Sequence, residues 1–197
     1  MSTSLALALL ETGGRTPIRA EFEQLRTAKD LTGWLTAAIN APVRATAADL
    51  VAITDLREAV FESIRARTRG TAIPRDAIQA INAAASVTPL AVGLDPTGRQ
   101  HEWQRRPTAA GTLSAIARDT IELLTGAMAD RVRECANPDC EIVFVDTSPP
   151  GARRWCAMGR CGNALKNRDY RSRLAATAAS SRNALARLAS DVPGKAI

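Results

Sequence analysis

Two short stretches, C-A-N-P-D-C at residues 135–140 and C-A-M-G-R-C at residues 156–161, contain all four cysteines of this chain. Each stretch has the spacing C-x4-C, which can place two thiolates on one tight turn. Two such turns brought together surround a Zn²⁺ ion with a tetrahedron of sulfur. We therefore expect one zinc ion with four ligands: Cys135, Cys140, Cys156 and Cys161.

The segment between the two cysteine pairs predicts a small β-hairpin that the metal closes. Residues 142–145 (I-V-F-V) have the composition of a strand, residues 148–151 (S-P-P-G) reverse the chain, and residues 153–155 return it to the second pair. So small a segment cannot bury enough apolar surface to fold alone, and zinc binding would supply about 10 kcal/mol, as in small zinc peptides. Four thiolates fill the tetrahedron, which is typical of a structural site.

Three alternatives to zinc stay open at this point: two disulfides, an iron–sulfur cluster and four unrelated buried thiols. Stable disulfides are rare in cytosolic proteins. Unrelated thiols would make the symmetric spacing accidental, and the spacing suits zinc better than an iron–sulfur cluster. Zinc is therefore the interpretation that the sequence favours.

The rest of the chain predicts a mainly helical body with one hairpin. Capping residues mark three helix starts, at Thr27, at Thr46 with Asp49 three residues later, and at Thr108 or Thr112. The apolar stretch 5–12 ends at the turn signal G-G at residues 13–14. A further helix is expected from Pro74 to about residue 85, and helix exits are expected at Asn40, Gly70 and Gly126. Residues 90–94 and 100–104 flank the turn sequence D-P-T-G and predict a β-hairpin. The expected fold class is α+β, mainly α.

We divide the chain into a helical domain at 1–130, a zinc finger at 131–173 and an Ala/Ser/Arg-rich tail at 174–197, which is either a frayed helix or an arm that orders on a partner. Residues 1–150 carry 16 basic and 18 acidic side chains, whereas residues 151–197 carry 10 basic and 2 acidic ones. A basic region on a slightly acidic body is typical of proteins with a polyanionic partner. The structural alternative is a solvated helix surface.

Eight polar or basic residues are candidates for contacts with DNA. Five of them flank or occupy the helix that we expect after Cys161, two lie on the predicted hairpin, and the last could read a base: Arg160, Lys166, Arg168, Arg171 and Arg173; Arg153 and Arg154; Asn163. Phosphate contacts fix a helix in a groove, and lysine and arginine supply most of them. The structural alternatives are helix solvation, screening of the thiolates by Arg153 and Arg154, and a local backbone bond from Asn163.

Several classes of protein are disfavoured. No apolar run approaches the ~20 residues of a membrane span, and residues 5–10 are too short for a signal-peptide core, so a cytoplasmic protein is expected. The chain lacks the phosphate-binding glycine loop, the G-x-S-x-G elbow and the H-E-x-x-H pair, so no enzymatic activity is expected. Trp155 is expected to cover the metal site, and Asp139 and Asp146 to act as turn or cap residues.

Three stretches resemble the CGNR zinc finger, a small bacterial motif: R-E-C-A-N-P-D-C at 133–140, V-D-T-S at 145–148 and W-C-A-M-G-R-C-G-N at 155–163. The body resembles the ABATE domain that usually precedes this finger, through residues 5–7 with Thr12, the helix of Asp30 and Trp34, and residues 56–59. The resemblance implies a stress-induced transcription regulator whose four cysteines bind zinc and whose finger region binds DNA.

The chain departs from the family pattern at three positions. Ala164 stands where the finger motif ends in arginine, which removes one expected basic contact. Ala8 and Glu11 stand where the body of the family usually has Asp and Asn, so a ligand site built on that polar pair would be changed here.

The functions left open are a DNA-binding regulator, which could dimerise, a zinc-stabilised protein-interaction module, and a small-molecule sensor with the finger as its output.

Overall fold

The computed structural model describes residues 4–168, 170–174 and 177. Most helices of the body begin at a residue whose side chain caps the first turn. Thr27 and Thr46 each accept a hydrogen bond from the N–H three residues on, and Asp30 and Asp49 bond back to complete two capping boxes. Thr108 caps the last helix of the body, which settles the choice between Thr108 and Thr112. The predicted starts at these three threonines are confirmed.

Six helices form the body. They are α1 Leu5–Leu10, α2 Pro17–Ala20, α3 Ala28–Ile39, α4 Ala47–Thr68, α5 Arg75–Ser86 and α6 Ala109–Thr125. The sequence did not predict α1 or the single turn α2 as helices, and Pro74, expected in the first turn of α5, is the residue before that helix. Gly70 follows the end of α4 with a φ of 67°, the left-handed conformation that favours glycine. None of the helices in the described ranges is both long and apolar enough to cross a membrane.

Helix α4 lies at the centre of the packing and contacts α1, α3, α5 and α6. Its side chains Ile53, Val60 and Ile64 are completely buried. Strands β1 Val92–Leu94 and β2 His101–Trp103 pair antiparallel and confirm the predicted hairpin, although each is shorter than expected.

The second hairpin differs from the prediction. Strand β4, Val143–Val145, pairs antiparallel with β3, Val132–Glu134, and not with residues 153–155. Val132 and Val143 both belong to the hydrophobic core that α4 organises, so this pairing buries apolar surface that the predicted one would leave in water. Residues 153–155 make individual hydrogen bonds and not a strand ladder; for example, the Arg154 carbonyl accepts from the Ala136 N–H at 2.8 Å.

The chain divides after Cys156 into two compact units. The first contains the six helices and both hairpins. In the second, a π-helical turn at Met158–Gly162 leads into helical residues 163–168 and 170–174. The helix expected after Cys161 is therefore present and begins three residues before that cysteine. The tail was predicted at residues 174–197, and apart from Leu174 and Thr177 these residues lie outside the described ranges. The domain boundary between residues 130 and 131 stays a prediction.

Candidate metal centre

The four cysteine sulfurs meet at one point. Their Sγ atoms all lie within 4.8 Å of one another, and those of Cys140 and Cys156 are 3.8 Å apart. A tetrahedron with Zn–S bonds of about 2.3 Å has sulfur–sulfur edges of about 3.8 Å. All four cysteines are free thiols, and a disulfide would need sulfurs about 2.05 Å apart. The alternatives of two disulfides and of four unrelated thiols are therefore wrong.

The first cysteine pair lies on the turn that joins β3 to β4. The Cys135 N–H donates to the Ile142 carbonyl at 2.9 Å, which extends the β3–β4 ladder to the first ligand. The Asn137 carbonyl accepts from the Cys140 N–H at 2.9 Å, and its side-chain oxygen accepts from the Asp139 N–H at 3.2 Å. This is the tight turn that the N-P-D sequence predicted.

The second pair is reached through a loop and the π-helical turn. The Cys156 N–H points to the Cys135 Sγ at 3.5 Å, which joins the two pairs by a hydrogen bond to sulfur. The Cys161 N–H donates to the Ala157 carbonyl at 3.0 Å inside the π-helical turn. Cys135 and Cys161 are buried, whereas Cys140 and Cys156 are half-buried.

Burial makes a thiolate unfavourable at this centre unless a cation is bound. Burial raises the pKa of the Cys135 thiol, and the nearby Cys156 thiol raises it further. A divalent metal ion offsets that cost, because it holds the sulfur as a thiolate. Four sulfur ligands at tetrahedral spacing suit zinc, and they leave no coordination position open for a substrate. The centre is a structural site for one zinc ion.

A buried carboxylate, that of Asp146, organises the loop before the second pair. It is completely buried; one oxygen accepts from the Ser148 O–H at 2.6 Å and N–H at 3.0 Å, and the other from the Arg153 N–H at 2.8 Å. The Ser148 side chain and these backbone donors, together with the charge of Arg131, lower the pKa of Asp146 to about 2. Asp146 is thus the turn residue that the sequence predicted.

Two candidate DNA contacts lie in this loop and differ in their surroundings. The Arg153 guanidinium donates to the carbonyls of Trp155, at 2.8 Å, and of Cys156, and it lies 4.8 Å from the centre of the Phe144 ring. The Arg154 guanidinium lies 5.4 Å from the ring centre of Trp155. Arg153 therefore supports the carbonyl of a zinc ligand, while Arg154 extends over the half-buried indole next to it.

All eight predicted DNA contacts are exposed to solvent. Asn163, Lys166 and Arg168 lie on the helical residues 163–168, and Arg171 and Arg173 on the helical residues 170–174. Arg160 is in the π-helical turn, one residue before Cys161. Ala164, where the finger motif has arginine, is also exposed.

The body contains a buried polar network that was not predicted from the sequence. Arg57, of which 3% of the side chain is exposed, donates to both oxygens of Glu23, at 3.0 and 2.6 Å, and to the Thr12 hydroxyl at 2.9 Å. Glu58 pairs with Arg57 at 3.5 Å and with the buried Arg19 at 3.2 Å. Thr12 and residues 56–59 were part of the sequence resemblance to the ABATE domain, but the sequence did not show that these polar side chains are buried together. Glu11, by contrast, is exposed at the end of α1.

Comparison with known families agrees with this architecture. A model of the ABATE family, described as "Putative stress-induced transcription regulator", matches residues 3–127, and a model of the CGNR zinc finger matches residues 131–174. No curated protein matches the chain. The ABATE match covers more than half of the 197 residues, so the chain belongs to the ABATE family and carries a CGNR zinc finger after that domain.

Proposed function

We propose that this ABATE-family protein is a bacterial, cytoplasmic transcription regulator that binds duplex DNA through the helical residues that follow its zinc centre. One observation supports the proposal most strongly. The turn that holds Cys161 leads directly into helical residues whose basic side chains, Lys166, Arg168, Arg171 and Arg173, are all exposed. In this proposal the zinc ion is structural and the protein has no enzymatic activity, since four sulfurs leave no position for a reacting group.

Charge placement supports the same proposal. Basic side chains that neutralise DNA phosphates release counterions, so binding weakens steeply as salt increases, with a slope of about −0.9 per phosphate contact in a double-logarithmic plot. The C-terminal 47 residues, 151–197, have 10 basic side chains against 2 acidic ones, which suits such contacts.

Fluorescence anisotropy with labelled duplex DNA and zinc-loaded protein tests the proposal. We expect binding at low salt that weakens as salt rises. The double variant Arg168→Ala, Arg171→Ala should bind more weakly and reduce the salt slope by about 2. The matched control is Arg105→Ala, Arg106→Ala, which removes the same charge from two exposed residues of the body. Equal effects of the two double variants, or no binding by the wild type, would contradict the proposal.

The two hairpin arginines should separate in the same assay. Arg154→Ala should weaken DNA binding and leave zinc affinity unchanged. Arg153→Ala should first weaken zinc retention, because the Arg153 guanidinium donates to the Cys156 carbonyl. Zinc affinity is measured in parallel by competition with a chromogenic chelator, and a loss of zinc in Arg154→Ala alone would reverse these roles.

The position that departs from the finger motif offers a gain-of-function test. Ala164 is exposed one residue after Asn163. Ala164→Arg should strengthen DNA binding and make the salt slope steeper by about 1, whereas Ala164→Gln should leave the slope unchanged. Asn163→Ala tests base reading, for which loss of preference between DNA sequences at constant salt slope is the expected sign.

A protein-interaction module is the second candidate, and one feature favours it. Val92 and Leu94 on β1 are 59% and 70% exposed, which is unusual for apolar side chains of a paired strand. If Val92→Ser and Leu94→Ser abolish regulation in cells while DNA binding in vitro is unchanged, the hairpin recruits a partner. Dimerisation and a small-molecule ligand of the body are further proposals, which sedimentation and thermal-shift screening of the same protein would test.

A further inference from the structure

Two glutamates flank the first cysteine pair and both turn to the same helix. Glu134 comes directly before Cys135, and Glu141 directly after Cys140. Only 17% and 11% of their side chains are exposed. Charged carboxylates are rarely buried to this extent without a partner.

Both glutamates are held by arginines near the end of α4. The Arg65 guanidinium bridges them, with Nε 3.4 Å from a Glu134 oxygen and Nη1 3.4 Å from a Glu141 oxygen. Arg69 adds two parallel bonds to the Glu134 carboxylate, both at 3.1 Å. Glu141 also accepts a hydrogen bond from the Thr16 hydroxyl, at the start of α2.

These contacts fix both ends of the turn that carries two zinc ligands. The turn spans only residues 135–140, and its two flanking carboxylates form ion pairs with one planar guanidinium, that of Arg65. The hydrogen bonds to these carboxylates come from Arg69 and Thr16. Arg65 is in turn held in place, since its guanidinium lies 5.3 Å from the centre of the Phe61 ring within the packed helix α4. Contacts that hold both ends of the turn would reduce the ordering cost of binding zinc there.

We propose that Arg65 is a positioning residue for the zinc centre, and that helix α4 sets the zinc affinity of the protein through Glu134 and Glu141. None of these three residues is a metal ligand. By linkage, zinc binding stabilises the Arg65 contacts by the same free energy that those contacts add to zinc binding. The inference does not depend on DNA binding, because it concerns the metal site alone.

The full-length variant Arg65→Ala tests the proposal, with zinc affinity measured by competition with a chromogenic chelator. Loss of a group that hydrogen-bonds a metal ligand typically weakens metal binding 10- to 100-fold. Arg65 acts through the residues next to two ligands, so we expect a loss at the lower end of that range, about 10-fold. Co²⁺ added in place of zinc gives a second readout, since its visible absorption reports tetrahedral sulfur coordination. Arg65→Ala should lower that absorption at limiting Co²⁺ and restore it at excess Co²⁺.

Arg67→Ala is the matched control. Arg67 is on the same helix and loses the same charge, but it pairs at 3.0 Å with Asp130, which is 96% exposed and is not adjacent to a cysteine. We expect its zinc affinity to stay within about twofold of the wild type. If Arg65→Ala does not fold, Arg65→Met keeps the stem that packs near Phe61, and Glu141→Gln removes the charge from the other side.

A double-variant cycle separates positioning from general stability. If Arg65 acts through Glu141 and Glu134, Glu141→Ala combined with Arg65→Ala should weaken zinc binding by clearly less than the product of the two single effects. A product of independent effects would overturn the proposal. Equal zinc affinities of Arg65→Ala and Arg67→Ala would overturn it as well.

Discussion

The substitution Arg57→Met should cost the protein a large part of its stability. Arg57 is almost fully buried at the middle of α4, where it bonds both oxygens of Glu23 and the hydroxyl of the buried Thr12. Methionine keeps most of the side-chain volume and removes the guanidinium. The effect therefore reports the loss of polar partners more than the opening of a cavity.

The expected loss follows from the burial of the partners. Removing one member of a buried ion pair typically costs 3–5 kcal/mol, because the other charge stays buried without compensation. Glu23 is 24% exposed, which lets water relieve part of that cost, so we expect about 3 kcal/mol. In a chain of this length, 1 kcal/mol shifts the thermal midpoint by roughly 2–4 °C, which gives a shift of about 10 °C.

Urea denaturation of the zinc-loaded protein at pH 7 measures the effect. The control is Arg15→Met, which breaks the Arg15–Asp55 pair, whose side chains are 66% and 55% exposed. Exposed pairs contribute about 0–1 kcal/mol. The double variant Arg57→Met, Glu23→Gln should recover part of the loss, since it removes the uncompensated charge. If Arg57→Met costs no more than Arg15→Met, the buried network does not stabilise the body as argued.

The same pair gives a pH dependence. Burial raises the pKa of Glu23, but hydrogen bonds from Arg57 and from the Leu25 N–H outweigh it and leave this pKa below its ordinary value. A lowered pKa in the folded state stabilises the protein above the unfolded value of about 4.3, and this stabilisation is lost as the pH falls. The free energy of unfolding should fall less with decreasing pH in Arg57→Met than in the wild type, because Glu23 in this variant lacks the partner that lowers its pKa.

Three further predictions concern the caps and the metal. Asp146→Asn should weaken zinc retention in chelator competition at pH 7, because it removes the charge that holds Ser148 and the Arg153 N–H. The stabilisation that Asp146 gives the wild type is present above about pH 4 and is lost as the pH falls toward its folded pKa of about 2. Thr46→Ala should lower the free energy of unfolding by about 1 kcal/mol in urea, through loss of the capping box with Asp49, and Thr46→Ser should restore it. Chelation of zinc should lower the thermal midpoint followed by helical circular dichroism, and added zinc should reverse the change; an unchanged midpoint would show that the metal and the helical core are independent.

The features that the sequence predicted well depend on residues close together in the chain. A capping box needs only Thr46 and Asp49, three positions apart, and the zinc ligands follow from two C-x4-C spacings because tetrahedral sulfur coordination admits few arrangements. The turn at residues 137–139 is equally local. Signals of this kind do not depend on how distant parts of the chain pack.

The features that were missed depend on distant partners. Strand β3 has three residues, V-R-E, and nothing local indicates that Val132 enters the core and pairs with Val145. Arg57 lies on a helix where a charged residue usually marks the solvent side, yet its partner Glu23 is 34 positions away. Neither pairing has a period or a spacing, so only the packed structure reveals it.

Burial of the acidic side chains changes the electrostatic argument for DNA binding. Residues 131–173 contain nine basic and five acidic side chains, and a zinc ion with four thiolates adds a charge of −2, so the formal excess of positive charge is small. Three of the five acidic residues are nevertheless largely withdrawn from the surface: Glu134 and Glu141 bind arginines of α4, and Asp146 is enclosed by its own loop. The basic residues of the helical stretch after Cys161 are exposed in contrast. Local placement of charges, and not their sum over a segment, sets the field at short range, so the exposed basic side chains after Cys161 support the proposed phosphate contacts more directly than the small net charge of residues 131–173 does.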